Sequence, residues 1–170
     1  MKKYKTILIF FFFTLNLISQ NKTEVYETDN YFIKYPIDWN LNSSGIGNTN
    51  FAVTSPLSSK EDGFSENVNL IIQDLKGMKF DLDRYTSISK QQLLSIPKGE
   101  ILDSKRIRTE GLEYHTLTFK GFLENRNLKG KQIYIIKNKK AYVLTYTALE
   151  KDYELYLEKA NRILKSFKLK

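Results

Sequence analysis

A chain of 170 residues with no cysteine, one histidine and a net charge of +8 is bounded before any motif is considered. Without cysteine it has no disulfide framework, no thiolate zinc site and no residue through which a bacterial lipoprotein is tethered. Its length suits one domain, and aromatics at 14% supply bulky core material.

The chain opens Met1-Lys2-Lys3-Tyr4-Lys5 and runs into an apolar block from Ile7 to Phe13, continued by Leu15, Leu17 and Ile18. A basic start, a short apolar stretch and a small residue at Ser19 are the layout of a secretory signal peptide. The stretch from Thr6 to Ile18 contains Asn16 and is shorter than the ~20 apolar residues that a membrane span requires. The sequence predicts export, to the periplasm or beyond the cell, with cleavage between Ser19 and Gln20. Loss of the three lysines Lys2, Lys3 and Lys5 lowers the net charge from +8 to +5, a modest basic bias that weakly favours anionic partners.

Residues 20–30 form a polar lead-in, and a single domain is expected over residues 31–170. Tyr31-Phe32-Ile33-Lys34-Tyr35 alternates as a strand that Pro36 ends, and Ile37 to Leu41 gives a second short extended piece. Asn42 to Asn50 carries Gly45 and Gly47 and is a loop, Phe51-Ala52-Val53 a short strand. The polar segment Leu57 to Ser65 is expected to be the most mobile connection, and Val68 to Leu75 is a strong strand. Asp81 caps a helix from Leu82 to about Ser95, stopped by Pro97 and Gly99. A meander follows: Ile101–Arg108, a turn at Glu110-Gly111, Tyr114–Phe122, Gln132–Lys137 and Ala141–Leu149, the last two joined by Asn138-Lys139. In the closing helix, Tyr153, Tyr156, Leu157, Ala160, Ile163, Leu164 and Phe167 recur at steps of three and four as one apolar stripe.

Ile133-Tyr134-Ile135-Ile136 and Tyr142-Val143-Leu144 break the two-residue alternation of a strand with one wet face. They are apolar on both faces, as central strands covered above and below are. The expected fold is therefore α+β, an antiparallel β-sheet flanked by helices.

Several phrases, in order, resemble the PsbP-like family. Phe32-Ile33-Lys34-Tyr35-Pro36-Ile37-Asp38-Trp39 is similar to the family's opening strand with its Tyr-Pro and Trp. Glu66-Asn67-Val68-Asn69-Leu70-Ile71, Asp83-Arg84-Tyr85 and Gly111-Leu112-Glu113-Tyr114 with Leu117-Thr118-Phe119 follow. Ala141 to Ala148 and the helix Tyr153 to Phe167 close the match, which spans Tyr31 to Phe167. The resemblance implies an α/β/α sandwich around an antiparallel sheet. It also implies a non-enzymatic binding or accessory domain, of the kind found in bacteria outside photosynthesis as well as in photosystem II. No metal-binding or docking residue of the photosynthetic members carries over to a position here.

Chemistry is sparse. His115 is the only histidine and lies in an expected strand, without a Gly-x-Ser-x-Gly elbow to supply a nucleophile. Zinc is disfavoured by the lack of Cys and of further His. Glu61, Asp62 and Glu66 lack the spacing of a calcium loop, and Gly45-Ile46-Gly47 is no phosphate loop. No catalytic residue, metal or cofactor is expected. Lys129, Lys131, Lys137, Lys139 and Lys140 gather on one hairpin, with Lys105, Arg106 and Arg108 on a strand that could neighbour it. They form a candidate docking patch for another envelope or secreted protein or for an anionic surface; lysines at hairpin tips also discourage edge-to-edge aggregation. Nucleic acid is not an expected partner, because the protein is exported and lacks a nucleic-acid motif with interleaved aromatics. The alternative function is carriage of a small apolar or amphipathic ligand in a cleft near Trp39, between the loops at residues 42–50 and 57–65.

Overall fold

Strand β9 (Lys140–Leu149) organises the molecule, because it buries side chains on both faces from Ala141 to Tyr146. The computed structural model describes residues 22–170, so the expected leader lies outside the described residues. Ten strands and two α-helices follow in chain order: β1 (Thr23–Glu27), β2 (Tyr31–Pro36), β3 (Asn40–Asn42), β4 (Phe51–Thr54), β5 (Asn67–Asp74), α1 (Leu82–Leu94), β6 (Glu100–Thr109), β7 (Leu112–Leu123), β8 (Arg126–Lys137), β9, α2 (Tyr153–Ser166) and β10 (Lys168–Leu169). Seven strands make one antiparallel sheet in the order β3-β4-β5-β9-β8-β7-β6, with β9 at its centre.

The expected α+β fold is present: an antiparallel sheet with a helix on each side. Helix α1 lies over β6, β7 and β8. Asp81 caps it, its carboxylate accepting the Arg84 amide at 2.8 Å. This layer buries Leu82, Tyr85 and Leu93 against Leu117, Phe119, Tyr134 and Val143. On the opposite face, α2 lies over β9, β5 and β2. There Tyr153, Ala160, Ile163 and Leu164 meet Val68, Leu70, Tyr142, Leu144 and Tyr146. Tyr146 is fully buried, and its hydroxyl donates to the Tyr153 carbonyl at 2.8 Å, tying β9 to the first turn of α2.

The second layer is not purely helical. Thr23–Glu27, expected only as a polar lead-in, pairs with β2, and β2 pairs with β10 after α2, giving a separate three-stranded sheet. Strand β2 points Tyr31, Ile33 and Tyr35 into the core and is fastened to α2 through Ser166, whose hydroxyl accepts the Lys34 amide at 2.9 Å. The closing helix therefore ends one residue earlier than its stripe, and Phe167, still buried, turns the chain into β10. The extended piece expected at Ile37 to Leu41 begins as a turn, with only Asn40–Asn42 pairing, against β4.

Strands β6 to β9 are joined by two-residue turns. Glu124 and Asn125 (φ 49° and 60°) and Asn138 and Lys139 (φ 51° and 57°) all lie in the left-handed region, the twist that a tight hairpin demands. The β7–β8 turn places six residues, from Arg126 to Lys131, in a strand that had been expected to begin at Gln132. Leu57 to Ser65, expected to be the most mobile connection, is irregular but internally tied. Asp62 accepts the Ser58 amide at 2.9 Å and the Phe64 amide at 3.1 Å, and Arg126 donates to the Gly63 carbonyl at 3.0 Å.

Gly130 of β8 stands opposite Phe119 of β7, and the Phe119 ring lies across the space a side chain would fill. A Cβ at Gly130 would come within 2.5 Å of that ring. Gly130→Ala is expected to destabilise the fold by about 1–3 kcal/mol through overpacking. Placed on Phe119→Leu it should cost less than on wild type, read by urea unfolding of the four proteins; equal costs in both backgrounds would rule out the ring as the cause.

Candidate functional site

The five hairpin lysines share β8 and β9 but do not form one patch. At about 3.3 Å per residue, Lys129 and Lys137 stand ~26 Å apart along β8. Lys129 is engaged by α2: its ammonium pairs with Glu154 at 2.9 Å and sits 4.1 Å from the centre of the Tyr153 ring. Lys131 donates to the Asn161 side chain at 2.9 Å; burial, with Lys165 nearby, holds its pKa below the ordinary lysine value. Lys140 faces Asp74 across the β5–β9 ladder. Of the five, only Lys137 and Lys139, at the tip, are exposed.

The basic residues of β6 divide in the same way. Lys105 points to the α2 side, while Arg106 and Arg108 point to the α1 side. Arg106 donates to both Glu113 oxygens, at 2.8 and 2.7 Å, and also pairs with Asp83 of α1. Arg108 pairs with Glu113. Arg106 and Arg108 are thereby locally neutralised and add nothing to a patch at the hairpin.

Trp39 does not line a cleft. It is 2% exposed, packed edge-on against Tyr156 of α2 with ring centres 6.3 Å apart, and its indole nitrogen has no hydrogen-bond partner. The turn at Ile37–Asp38 reverses the chain and drives the indole under α2, so the residue expected beside a ligand is part of the core. His115 is buried on the α1 side. Its Nε2 lies 2.7 Å from the Ser104 hydroxyl, while Nδ1 has no partner. Burial, assisted by Lys90, pushes its pKa below the ordinary histidine value, which favours the neutral ring. A Ser–His pair without a carboxylate on the far nitrogen lacks the orienting group of a triad. Among the described residues, no three His, Asp or Glu side chains come close enough to share a metal ion.

The structure does assemble a site that the sequence does not announce. Helix α1 covers β6, β7 and β8 on one face, but on the other face α2 lies over β9 and β5, leaving the β7–β8 surface partly uncovered. There a groove of about 550 Å³ runs between the β6–β7 turn and the end of α2. Tyr114, Ile133 and Ile135 form its floor, and Leu164, Phe167 and Leu169 its wall. Lys137, Lys165 and Lys168 stand on its rim, all exposed. Among the described residues, none of the three lies within ion-pair distance of a carboxylate. These residues come from three separate stretches of chain, so no local motif could reveal them. The one available sign was Leu112 and Tyr114, on a strand face that α1 does not cover.

Glu113 supplies a direct check on the electrostatics of β6. Hydrogen bonds from Arg106 and Arg108 hold its pKa down at about 2. That stabilisation is complete above the ordinary carboxylate range and is lost as pH falls toward 2. Glu113→Gln should therefore flatten the decline of the thermal midpoint between about pH 4.5 and 2. An unchanged acid slope would show that the pairs contribute nothing to it.

No family model matches the chain, and no curated relative matches it by sequence. Solved structures do match. The cyanobacterial PsbP protein CyanoP of Synechocystis sp. PCC 6803 is 12% identical, with a TM-score of 0.63 over 90% of this chain and 95% of that one. LpqN of Mycobacterium tuberculosis, described as involved in cell envelope biogenesis, is 14% identical with a TM-score of 0.58, covering 90% and 87% of the two chains. The Saccharomyces cerevisiae Ran-binding protein Mog1p is 11% identical with a TM-score of 0.54, covering 87% and 95%. At these identities the likeness is one of architecture, and the architecture of this chain is the PsbP-like fold.

Proposed function

We propose that this protein is an exported, non-enzymatic accessory domain that docks onto an acidic envelope or secreted protein. The surface that would carry the contact is the end of the molecule bearing Lys137, Lys139, Lys165 and Lys168. The observation behind this reading is that a hairpin, a helix terminus and the terminal strand each bring an unpaired cation to one place. Protection against aggregation accounts for lysines at a hairpin tip, but Lys165 lies on a helix. The fold supports a binding role by analogy: one structural neighbour is described as Ran-binding and another as involved in envelope biogenesis. Among the described residues no helix is long and apolar enough to cross a membrane. A second reading, carriage of an amphipathic ligand, is favoured by the apolar floor of the same groove.

The docking reading is tested by capture from envelope and secreted fractions at low and high salt. Wild type is set beside a Lys137/Lys165/Lys168→Glu variant and a charge-matched Lys60/Lys76/Lys79→Glu control. Capture of an acidic protein should fall about tenfold or more in the first variant and in high salt, and persist in the control. Equal capture by both variants would move the contact elsewhere.

A further inference from the structure

The groove itself carries more than a charge argument. We infer that it binds a free single-chain amphipathic anion, a long-chain fatty carboxylate, with the alkyl chain along the floor and the carboxylate among Lys137, Lys165 and Lys168. This rests on the second of the two readings above, amphipathic ligand carriage, and is independent of any protein partner.

Three features select that class. The first is the floor and wall: half-buried Tyr114 and Ile133 offer apolar surface with one hydroxyl, backed by the buried Ile135, Leu164 and Phe167. An apolar channel with a few polar groups at one side is the usual form of a ligand site. The second is size. At about 30 Å³ per carbon, close to the volume share of a water molecule, the ~550 Å³ of the groove accommodates roughly 16–18 carbons. One alkyl chain matches that volume. The third is charge. Three unpaired ammonium groups on the rim face a single acid lining the groove, Glu110, which lies on the β6–β7 turn. Lys131, half-buried beside Lys165 at the α2 edge, adds positive potential without being free to pair outward. A carboxylate head at the rim would gain a charge-assisted hydrogen bond from these ammoniums, whereas a neutral or cationic head would not.

The groove exists because of a mismatch of widths. Residues after Ser166 leave the helix and form β10 against β2, carrying Phe167 and Leu169 to one wall while the sheet continues beneath to β7 and β6. Helix and sheet edge are thereby held apart by a distance that side chains of this chain do not fill.

The protein recovered after expression of the full chain is titrated with palmitate, hexadecanol and hexadecyltrimethylammonium below their aggregation limits, by calorimetry and by amide chemical-shift mapping. Palmitate should bind at one site with shifts centred on Tyr114, Ile133 and Phe167. The alcohol and the cation should bind at least about tenfold more weakly, as the loss of charge-assisted contacts requires. Lys137/Lys165/Lys168→Gln should weaken palmitate by a similar factor. Ile133→Glu should abolish binding; since it could also disturb the core, Leu112→Glu, at a position 38% exposed, provides a variant at which folding is not at risk, and it too should weaken binding. Equal affinity for the three amphiphiles, shifts centred outside the groove, or binding to anionic vesicles without binding to monomeric palmitate would each overturn the inference. None of these results bears on the salt-dependent capture of a protein partner, so the two readings fail separately.

Discussion

Everything in this fold hangs on β9 being dry on both faces. A strand that buries consecutive residues, from Ala141 to Tyr146, requires one layer above and one below, and the two apolar clusters lie on its opposite sides. Tyr142, Leu144 and Tyr146 belong to one cluster; Ala141 and Val143 belong to the other. The Tyr146 hydroxyl donates to the Tyr153 carbonyl and so ties the first turn of α2 to this strand. Buried hydroxyls are costly when unpaired, so this bond adds direction to the apolar contacts that hold α2 on the sheet.

The two layers cover the sheet unequally. Helix α1 sits over the β6–β8 half and α2 over the β5–β9 half, with the small sheet extending the second layer beyond β2. The part of the β7–β8 surface left uncovered on the α2 side is where the groove lies. Charge follows the same division. Arg106 and Arg108 lie under α1's influence and are neutralised by Glu113 and Asp83, and Lys129 is neutralised by α2. Lys137 and Lys139, at the β8–β9 hairpin tip, have no such partner among the described residues.

Much of this arrangement was legible in the chain. The stripe from Tyr153 to Phe167, the Asp81 cap, the Asn138-Lys139 turn and the doubly apolar runs around Ile135 and Val143 each state a local physical requirement, and each is met. What was not legible depended on contacts between distant segments. Thr23–Glu27 is too polar to announce a strand and becomes one because β2 offers a partner edge. Trp39 carried a signal of size but none of direction, and the turn before it sends the indole inward. The lysines of β8 looked like one cluster because sequence proximity does not show strand length or which helix passes overhead. The groove left only the trace at Leu112 and Tyr114, since its floor, wall and rim come from separate parts of the chain.

The two-residue turns between β6 and β9 have a bearing on how such a topology is reached. Each of these strands pairs with its immediate neighbour in the chain, so their ladders close loops of minimal length and small entropic cost. Two joints are of another kind: Asn67 pairs with Thr147, and Leu169 with Tyr31, between segments far apart in the chain. The entropy of bringing distant chain together is thus concentrated at the two edges that β5 and β2 supply, while the meander beneath α1 is assembled from local contacts. The half of the protein that bears the groove floor is the half whose order depends least on the rest of the chain.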